Sequence, residues 1–173
     1  MIQVEESYLN HLIYISEHDE LTGVLNRYGL KKRLGEIFTP QNEGFLCIVD
    51  IDHFKMINDV GGHQTGDLVL IEFTKCLCGI SNSLVGRLGG DEFFIYVKGV
   101  ETEEGLRKEF AALEERINAI DVPCLNGMKI TFSIGAKYFR GDLDGLKAGA
   151  YSSADKLCYE SKKQDGNSIT IEI

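Results

Sequence analysis

The stretch LVGRLGGDEFFIYV at residues 84–97 decides the fold of this chain. Gly89 and Gly90 separate two short apolar runs, which is the composition of a β-hairpin with a tight turn. Such a turn needs positive φ angles, which glycine adopts without strain. Two carboxylates, Asp91 and Glu92, follow the glycines and should point in opposite directions along the second strand. Acids at an exposed tip favour a cation, and Mg²⁺ typically takes one or two carboxylates together with substrate phosphates.

A second acidic tip follows the apolar run GFLCIVDID at residues 44–52. The run is continuous and rich in β-branched residues, which is typical of a strand buried on both faces of a sheet. Asp50 and Asp52 alternate with Ile51, so they share one direction at the end of that strand. Ligands of α/β proteins bind outside strand ends. If the hairpin supplies the neighbouring strands, Asp50 and Asp91 can meet over one cation.

Periodicity along the rest of the chain predicts a central sheet with helices on its faces. Alternation predicts two further strands, at residues 130–134 and 168–173. Apolar spacing predicts helices at residues 5–18, after Asn26, after Asp52, from about Gly66, across 106–117 and across 150–161. Asn26 can cap the helix that follows it. The fold class is therefore α/β, with a mixed five-stranded sheet that includes the hairpin.

The composition describes one domain of ordinary size that is not a nucleic-acid binder. The chain has 173 residues and a net charge of −9, which argues against nonspecific binding of nucleic acid. No apolar run approaches the ~20 residues of a membrane span, and the N-terminus lacks the basic region of a secretion signal. We therefore expect a cytoplasmic location without direct membrane contact. The five cysteines are odd in number and lack metal-ligand spacing, which favours reduced thiols.

The lead segment at residues 5–18 leaves two interpretations open. Its apolar stripe can pack on its own domain, or it can connect the domain to an upstream sensor module or to a second protomer. The segment is too short to establish a coiled coil, which needs several heptads.

Several motifs together resemble the GGDEF family of diguanylate cyclases. The matching stretches are DELTGVLNR at residues 19–27, DIDHFKMINDVGGHQTGD at 50–67, RLGGDEF at 87–93, ITFSIG at 130–135, and the segment 154–162. Their order and spacing make the joint signal specific. The resemblance implies an α+β palm-like domain at residues 19–173, with residues 1–18 as a lead or connector helix. It also implies a homodimer that condenses two GTP into cyclic di-GMP and two pyrophosphates, each protomer presenting one GTP.

The resemblance assigns the metal and the reacting groups. Asp50, Asp91 and the backbone carbonyl of Ile51 would hold Mg²⁺, with Mn²⁺ as an alternative. Metals in such reactions stabilise both the attacking and the leaving oxygens. Glu92 would position the metal or the hydroxyl, or accept a proton, and the sequence leaves these roles open. Asp52 would have a structural role where the next loop starts.

The resemblance also assigns the contacts to GTP. Lys55 would lie beside the triphosphate with the backbone N–H groups of His53 and Phe54, and would offset charge as pyrophosphate leaves. Lys162 would contact the terminal phosphate. Asn58 and Asp67 are matched to a guanine-reading pair.

An amide and a carboxylate suit guanine, because the carboxylate of Asp67 can accept from N1–H and from the 2-amino group. Adenine lacks these donors, so strong discrimination is expected.

Three departures from the family pattern raise an alternative function. Gly61 stands where an aromatic residue is common, which should loosen the nearby loop. Gly166 stands where an arginine is common, so one phosphate contact is missing. Ile80 and Ser83 replace the arginine and aspartate of the Arg-x-x-Asp product-inhibition site. The alternative is a catalytically weak or inactive GTP-binding regulatory GGDEF domain. A related nucleotidyl cyclase or polymerase-like palm domain would not need Asn58, Asp67 and the glycine turn together.

Overall fold

The computed structural model describes residues 2–39, 41–125, 127–142, 144 and 149–173. The described residues form six α-helices and five strands. The helices are α1 (Ile2–Glu17), α2 (Arg27–Ile37), α3 (Phe54–Gly61), α4 (His63–Cys78), α5 (Glu103–Asn118) and α6 (Tyr151–Ser161). The strands are β1 (Glu43–Ile51), β2 (Ser83–Gly89), β3 (Glu92–Lys98), β4 (Phe132–Arg140) and β5 (Ser168–Glu172). A short 3₁₀ turn covers Pro123–Leu125.

The strands form one mixed sheet, as predicted. Their order is β2-β3-β1-β4-β5, and every pairing is antiparallel except that of β4 with β5. The central strand β1 is thus flanked by the hairpin on one side and by β4 on the other. At its end, Asp50 lies opposite Glu92 of β3 and opposite Ser133 of β4. The α+β, palm-like prediction is confirmed. The strand order also brings both acidic tips to the same end of the central strands β1 and β3.

The two faces of the sheet bury separate cores. Odd-numbered residues of β1 pack under α3, α4 and α5, where Phe73 lies 5.6 Å from Phe93 between ring centroids. Even-numbered residues of β1 pack under α2 and α6. A fully buried large apolar side chain contributes roughly 1.5–3 kcal/mol relative to exposure, so both cores hold β1 rigidly. Asp50 is even-numbered, and its side chain therefore lies on the α6 side.

The boundaries of the helices follow local capping chemistry, with one correction. Asn26 caps α2 as predicted, since its Oδ1 accepts from the N–H of Gly29 at 2.9 Å. The helix predicted from about Gly66 begins earlier, at His63. Gly62 has a φ of 80°, which ends α3 and lets α4 start at the next residue. Asp67 therefore lies inside α4.

Candidate active site

The glycine turn carries Asp91 at its tip. Gly89 and Gly90 have positive φ angles of 143° and 55°, as the sequence predicted. Because β2 ends at Gly89 and β3 begins at Glu92, Asp91 lies in the turn itself rather than after it, which corrects the sequence-based interpretation. The carbonyl of Asp91 accepts a hydrogen bond from the N–H of Ile51 at 3.3 Å. The turn is thereby joined to the end of β1.

Asp50 is a buried carboxylate paired with a lysine. The whole residue is 6% exposed, and its Oδ2 lies 2.8 Å from the Nζ of Lys162, which follows the end of α6. Burial raises the pKa of Asp50 to about 6, and the hydrogen bond from Lys162 opposes that rise. Desolvation acts to lower the pKa of Lys162, but the hydrogen bond and the charge of Asp50 raise it overall. The ammonium therefore balances the carboxylate.

One cavity gathers the predicted metal and phosphate residues. It has a volume of about 420 Å³. Its lining comprises Asp50, Ile51, Asp52, His53, Phe54, Lys55, Asp91, Thr131, Lys162, Gln164, Asp165 and Gly166. Acidic and basic side chains thus share a compartment large enough for phosphate groups. Asn58, Asp67 and Glu92 are not part of this lining.

Glu92 lies on the α6 side of the sheet instead. It is the direct cross-strand partner of Asp50, and such partners project to the same face. It lines a second cavity of about 420 Å³ together with Asp50, Asp155, Tyr159 and other residues of α6. Asp91 and Glu92 thus face different cavities, although the charges of both raise the pKa of Asp50.

The donor atoms at the first cavity fit a hard divalent cation. Two carboxylates and a backbone carbonyl are oxygen ligands of the kind that Mg²⁺ takes when substrate phosphates and water complete the shell. Within the part of the chain that the structure describes, no three His, Cys, Asp or Glu side chains are grouped closely enough to hold a metal by themselves. Asp50, Asp91 and Ile51 therefore suit a metal that is held jointly with a nucleotide.

Asn58 and Asp67 lie on the adjacent helices α3 and α4. Asn58 is half-buried, and its backbone carbonyl accepts from the N–H of Gly62 at 2.8 Å. Its side-chain Oδ1 lies directly against Gly66, where an added Cβ would approach it to 2.0 Å. Asp67 is exposed one residue further along α4. The bend at Gly62 thus brings the amide and the carboxylate to neighbouring helical surfaces.

Thr65 fills the space beside Gly61. Its hydroxyl donates to the carbonyl of Gly61 at 2.6 Å, and its methyl Cγ2 would lie 2.5 Å from a Cβ added at that glycine. Thr65 is itself buried. The threonine thus packs where the missing side chain would stand.

Gly66→Ala tests the predicted contact of Asn58 with guanine, and it should weaken the binding of a GTP analogue while the domain still folds. Gly66 is helical, so alanine is tolerated by the backbone and favoured by roughly 1 kcal/mol in helix propensity. The new methyl would displace the Asn58 amide, and losing a hydrogen bond to a buried ligand group should raise the Kd of a GTP analogue about tenfold. Isothermal titration measures the change.

Gly149→Ala is the matched control, because a Cβ at that position meets nothing within 4 Å among the residues that the structure describes. Its Kd for the GTP analogue should stay within about twofold of the unmodified protein. Unchanged affinity in a folded Gly66→Ala protein would contradict the contact between Asn58 and guanine.

The GGDEF family, described as "Diguanylate cyclase, GGDEF domain", matches this chain over residues 16–168. This chain belongs to the GGDEF domain family. The match covers most of the chain and includes the turn, the end of β1, α3, α4 and α6. The family membership that the motifs predicted is confirmed.

Curated relatives of this GGDEF domain carry the same name. "Probable diguanylate cyclase DgcC" of Escherichia coli K12 is 30% identical over 163 residues, which cover 91% of this chain and 43% of that protein. "Diguanylate cyclase A" of Treponema denticola is 34% identical over 134 residues, covering 73% of this chain and 34% of that protein. The chain thus spans less than half the length of these relatives.

A solved structure shares the fold of the GGDEF domain. The coiled coil and GGDEF domain of DgcB from Caulobacter crescentus, in complex with c-di-GMP, superimposes with a TM-score of 0.84 at 22% identity. The alignment covers 99% of this chain and 93% of that one. At this identity, the likeness establishes the architecture alone.

Two residues of the GGDEF domain have roles that sequence reasoning missed. Ser133 donates its hydroxyl to Oδ1 of Asp52 at 2.7 Å, which anchors the loop after β1 and agrees with a structural role for Asp52. Arg87 contacts the carbonyl of Gly90 in the turn and the carboxylate of Asp19. Both lie inside matched motifs, so their position was visible, but their partners are distant in sequence.

Proposed function

We propose that this GGDEF domain condenses two GTP molecules into cyclic di-GMP and two pyrophosphates. The observation that carries the proposal is the cavity in which Asp50 and Asp91 stand beside Lys55 and Lys162. Carboxylates able to hold a cation next to ammonium groups able to hold phosphates are what nucleotidyl transfer requires. The family and the names of the relatives support the same reaction.

Asp50, Asp91 and the carbonyl of Ile51 would hold Mg²⁺, or Mn²⁺ in its place. A bound metal would supply stabilisation of charge on the attacking and leaving oxygens at the α-phosphorus. Lys162 would then exchange its ion pair with Asp50 for a contact to the terminal phosphate. Glu92, which lies with Asp50 on the α6 side of the sheet, would act through the charge it presents to Asp50, or as a proton acceptor for the 3′-hydroxyl.

The start of α3 would bind the triphosphate together with Lys55. His53 has a φ of 54° and immediately precedes α3, and His53, Phe54 and Lys55 all line the cavity. The first N–H groups of a helix have no acceptor within the helix, and they attract anions. Lys55 is exposed and lines the same cavity, so its ammonium can follow the charge of departing pyrophosphate.

Asn58 and Asp67 would read the guanine base. The half-buried Asn58 is held against Gly66, while Asp67 presents its carboxylate on the outer surface of α4. A carboxylate accepts from N1–H and the 2-amino group of guanine, whereas adenine presents an acceptor at N1. This pair would therefore select GTP.

A homodimer would supply two half-sites, because one domain binds one GTP. Residues 1–18 would form the lead helix that joins protomers or an upstream sensor module, and residues 19–173 the catalytic domain. Support comes from a stripe of exposed apolar side chains on α1. Its members are Tyr8, Leu9, Leu12, Ile13 and Ile15, between 39% and 63% exposed. The described helices include none long and apolar enough to cross a membrane.

The alternative is a GTP-binding regulatory domain with weak or no turnover, which Gly166 favours. This glycine lines the cavity, has a φ of 79°, and among the described residues nothing lies within 4 Å of where a side chain would begin. No described residue thus takes the place of the missing arginine, and one phosphate contact would be lost.

Incubation of the protein with GTP and Mg²⁺, followed by chromatographic separation of the nucleotides, tests the proposed function directly. Formation of cyclic di-GMP and pyrophosphate in a 1:2 ratio supports it. Binding of GTP without turnover, under the same conditions, would favour the regulatory alternative.

The specific activity should rise with protein concentration. If the isolated domain dimerises weakly, dilution separates the two half-sites and turnover per protomer falls by mass action. The measurement is initial rate across a dilution series, with sedimentation on the same samples. Constant activity per protomer in samples that contain only monomer would refute the two-half-site mechanism.

Cyclic di-GMP should inhibit only in competition with GTP. Ile80 is 3% exposed and packs in the core, while the hydroxyl of Ser83 donates inward to the carbonyl of Ile80 at 2.8 Å. Neither residue offers the charged groups that grip a guanine or a phosphate. Added product should raise the apparent KM for GTP and leave kcat unchanged. A lowered kcat at saturating GTP would reveal another product site.

A further inference from the structure

Arg87 grips the peptide that precedes Asp91. Its Nε and Nη2 donate to the carbonyl of Gly90 at 2.9 and 2.7 Å, and its side chain is only 12% exposed. That carbonyl belongs to the peptide unit that joins Gly90 to Asp91. Glycine has no side chain that would restrict this peptide unit. The two donors of Arg87 therefore hold its carbonyl oxygen, and with it the peptide from which Asp91 projects.

The third donor of the same guanidinium reaches the segment that follows α1. Nη1 of Arg87 lies 2.9 Å from Oδ1 of Asp19, and this oxygen also accepts from the N–H and hydroxyl of Thr22, at 2.9 and 2.6 Å. Partial burial would raise the pKa of Asp19, but the hydrogen bonds from Thr22 and Arg87 lower it below its usual value. The carboxylate thus stays charged and holds the arginine in one orientation.

The segment around Asp19 is attached at both ends. Asn26 donates from its backbone N–H to the carbonyl of Glu17 at 2.9 Å, and from its side chain to that of Ser16 at 2.9 Å, so the segment is tied to the last turn of α1. On the other side, the N–H of Arg87 donates to the carbonyl of Leu25 at 2.8 Å. The end of α1, this segment and β2 therefore form one hydrogen-bonded unit.

We propose that Arg87 is a positioning residue for Asp91 and that it transmits the orientation of α1, through Asp19, to the catalytic turn. The inference rests on the proposed function, in which Asp91 holds the metal. A lead helix that changes its angle on dimerisation or on a signal would move Asp19, and Arg87 would pass that movement to the Gly90 peptide. Regulation would then act on metal geometry and leave the guanine groove on α3 and α4 unchanged.

Arg87→Lys is the main test, because lysine keeps the charge but cannot reach Gly90 and Asp19 with three donors. Loss of a residue that orients a metal ligand typically lowers activity or metal affinity about 10–100-fold, and we expect that loss in kcat. The KM for GTP should stay within about twofold, since Arg87 lies outside the residues proposed to bind GTP. Binding of Mn²⁺ in the presence of an unreactive GTP analogue, measured by electron paramagnetic resonance, should weaken in parallel.

Arg27→Lys is the matched control. Arg27 donates from its Nε to the carbonyl of Leu88. It therefore contacts the same hairpin, but in β2 before the glycine turn. Its kcat and Mn²⁺ affinity should stay close to those of the unmodified protein. Equal losses in both variants would show that general loosening of the hairpin is the cause, and would overturn the proposal.

Asp19→Asn tests the transmission and also serves if Arg87→Lys does not fold. Asparagine keeps an acceptor for Thr22 but removes the charge that orients Arg87, so kcat and Mn²⁺ affinity should fall while KM stays constant. In the double variant the losses should not multiply, because both changes interrupt one path. Unchanged kcat and Mn²⁺ affinity in Asp19→Asn, or multiplied losses in the double variant, would overturn the transmission.

The Mn²⁺ measurement separates this inference from the proposed function. If the unmodified protein forms no cyclic di-GMP, the proposed reaction fails, and weaker Mn²⁺ binding by Arg87→Lys still supports the positioning role. If the unmodified protein is active while Arg87→Lys equals it in kcat and Mn²⁺ affinity, the positioning role fails and the function stands.

Discussion

Asp91→Ala should abolish the formation of cyclic di-GMP in a domain that still folds. Asp91 lies in a two-residue turn and is only partly buried, so its truncation removes little packing. Its carboxylate is one of two proposed to hold the metal, and loss of such a group should lower kcat by at least about a thousandfold. Chromatography of the GTP reaction measures activity, and thermal unfolding checks the fold.

Asp121→Ala serves as the control for that variant, because Asp121 is exposed and does not line the cavity. Its activity should equal that of the unmodified protein. Asp50→Ala should also be inactive, because it removes the second carboxylate proposed to hold the metal. Full activity of a folded Asp91→Ala protein would contradict the assignment of Asp91 to the metal site.

Asp67→Ala should remove most of the preference for GTP over ATP. A site built to accept from guanine N–H groups rejects a base without them by a factor of about 10⁴ or more, and the variant should lose at least about a hundredfold of that ratio. Asp67 is exposed within α4, so alanine is compatible with the helix. The measurement is kcat/KM for each nucleotide.

The exposed Gln64, in the first turn of the same helix, provides the control. Gln64→Ala changes the same surface without removing the carboxylate, and its preference for GTP should be intact. Equal turnover of GTP and ATP by the unmodified protein would refute the guanine-reading role of Asp67.

The sequence by itself determined the sheet, the hairpin and the positions of both acidic tips. These features follow from local rules: strands alternate or run apolar, glycines permit the turn, and Asn26 caps the helix that follows it. The family also followed from the sequence, because several motifs stand in order at the right spacing. Each of these signals is carried by residues that are close together in the chain.

Only the tertiary structure decided which side chains meet. In the folded chain Lys162 pairs with Asp50, and Glu92 lies on the α6 side of the sheet. Thr65 packs in the space beside Gly61. The tertiary structure also joins Arg87 to Asp19 and to the turn. Such contacts depend on strand order and on how helices seat against the sheet, and they form between residues far apart in the chain. Local propensity carries no information about them, because the partner of each group is fixed by the packing of the whole core.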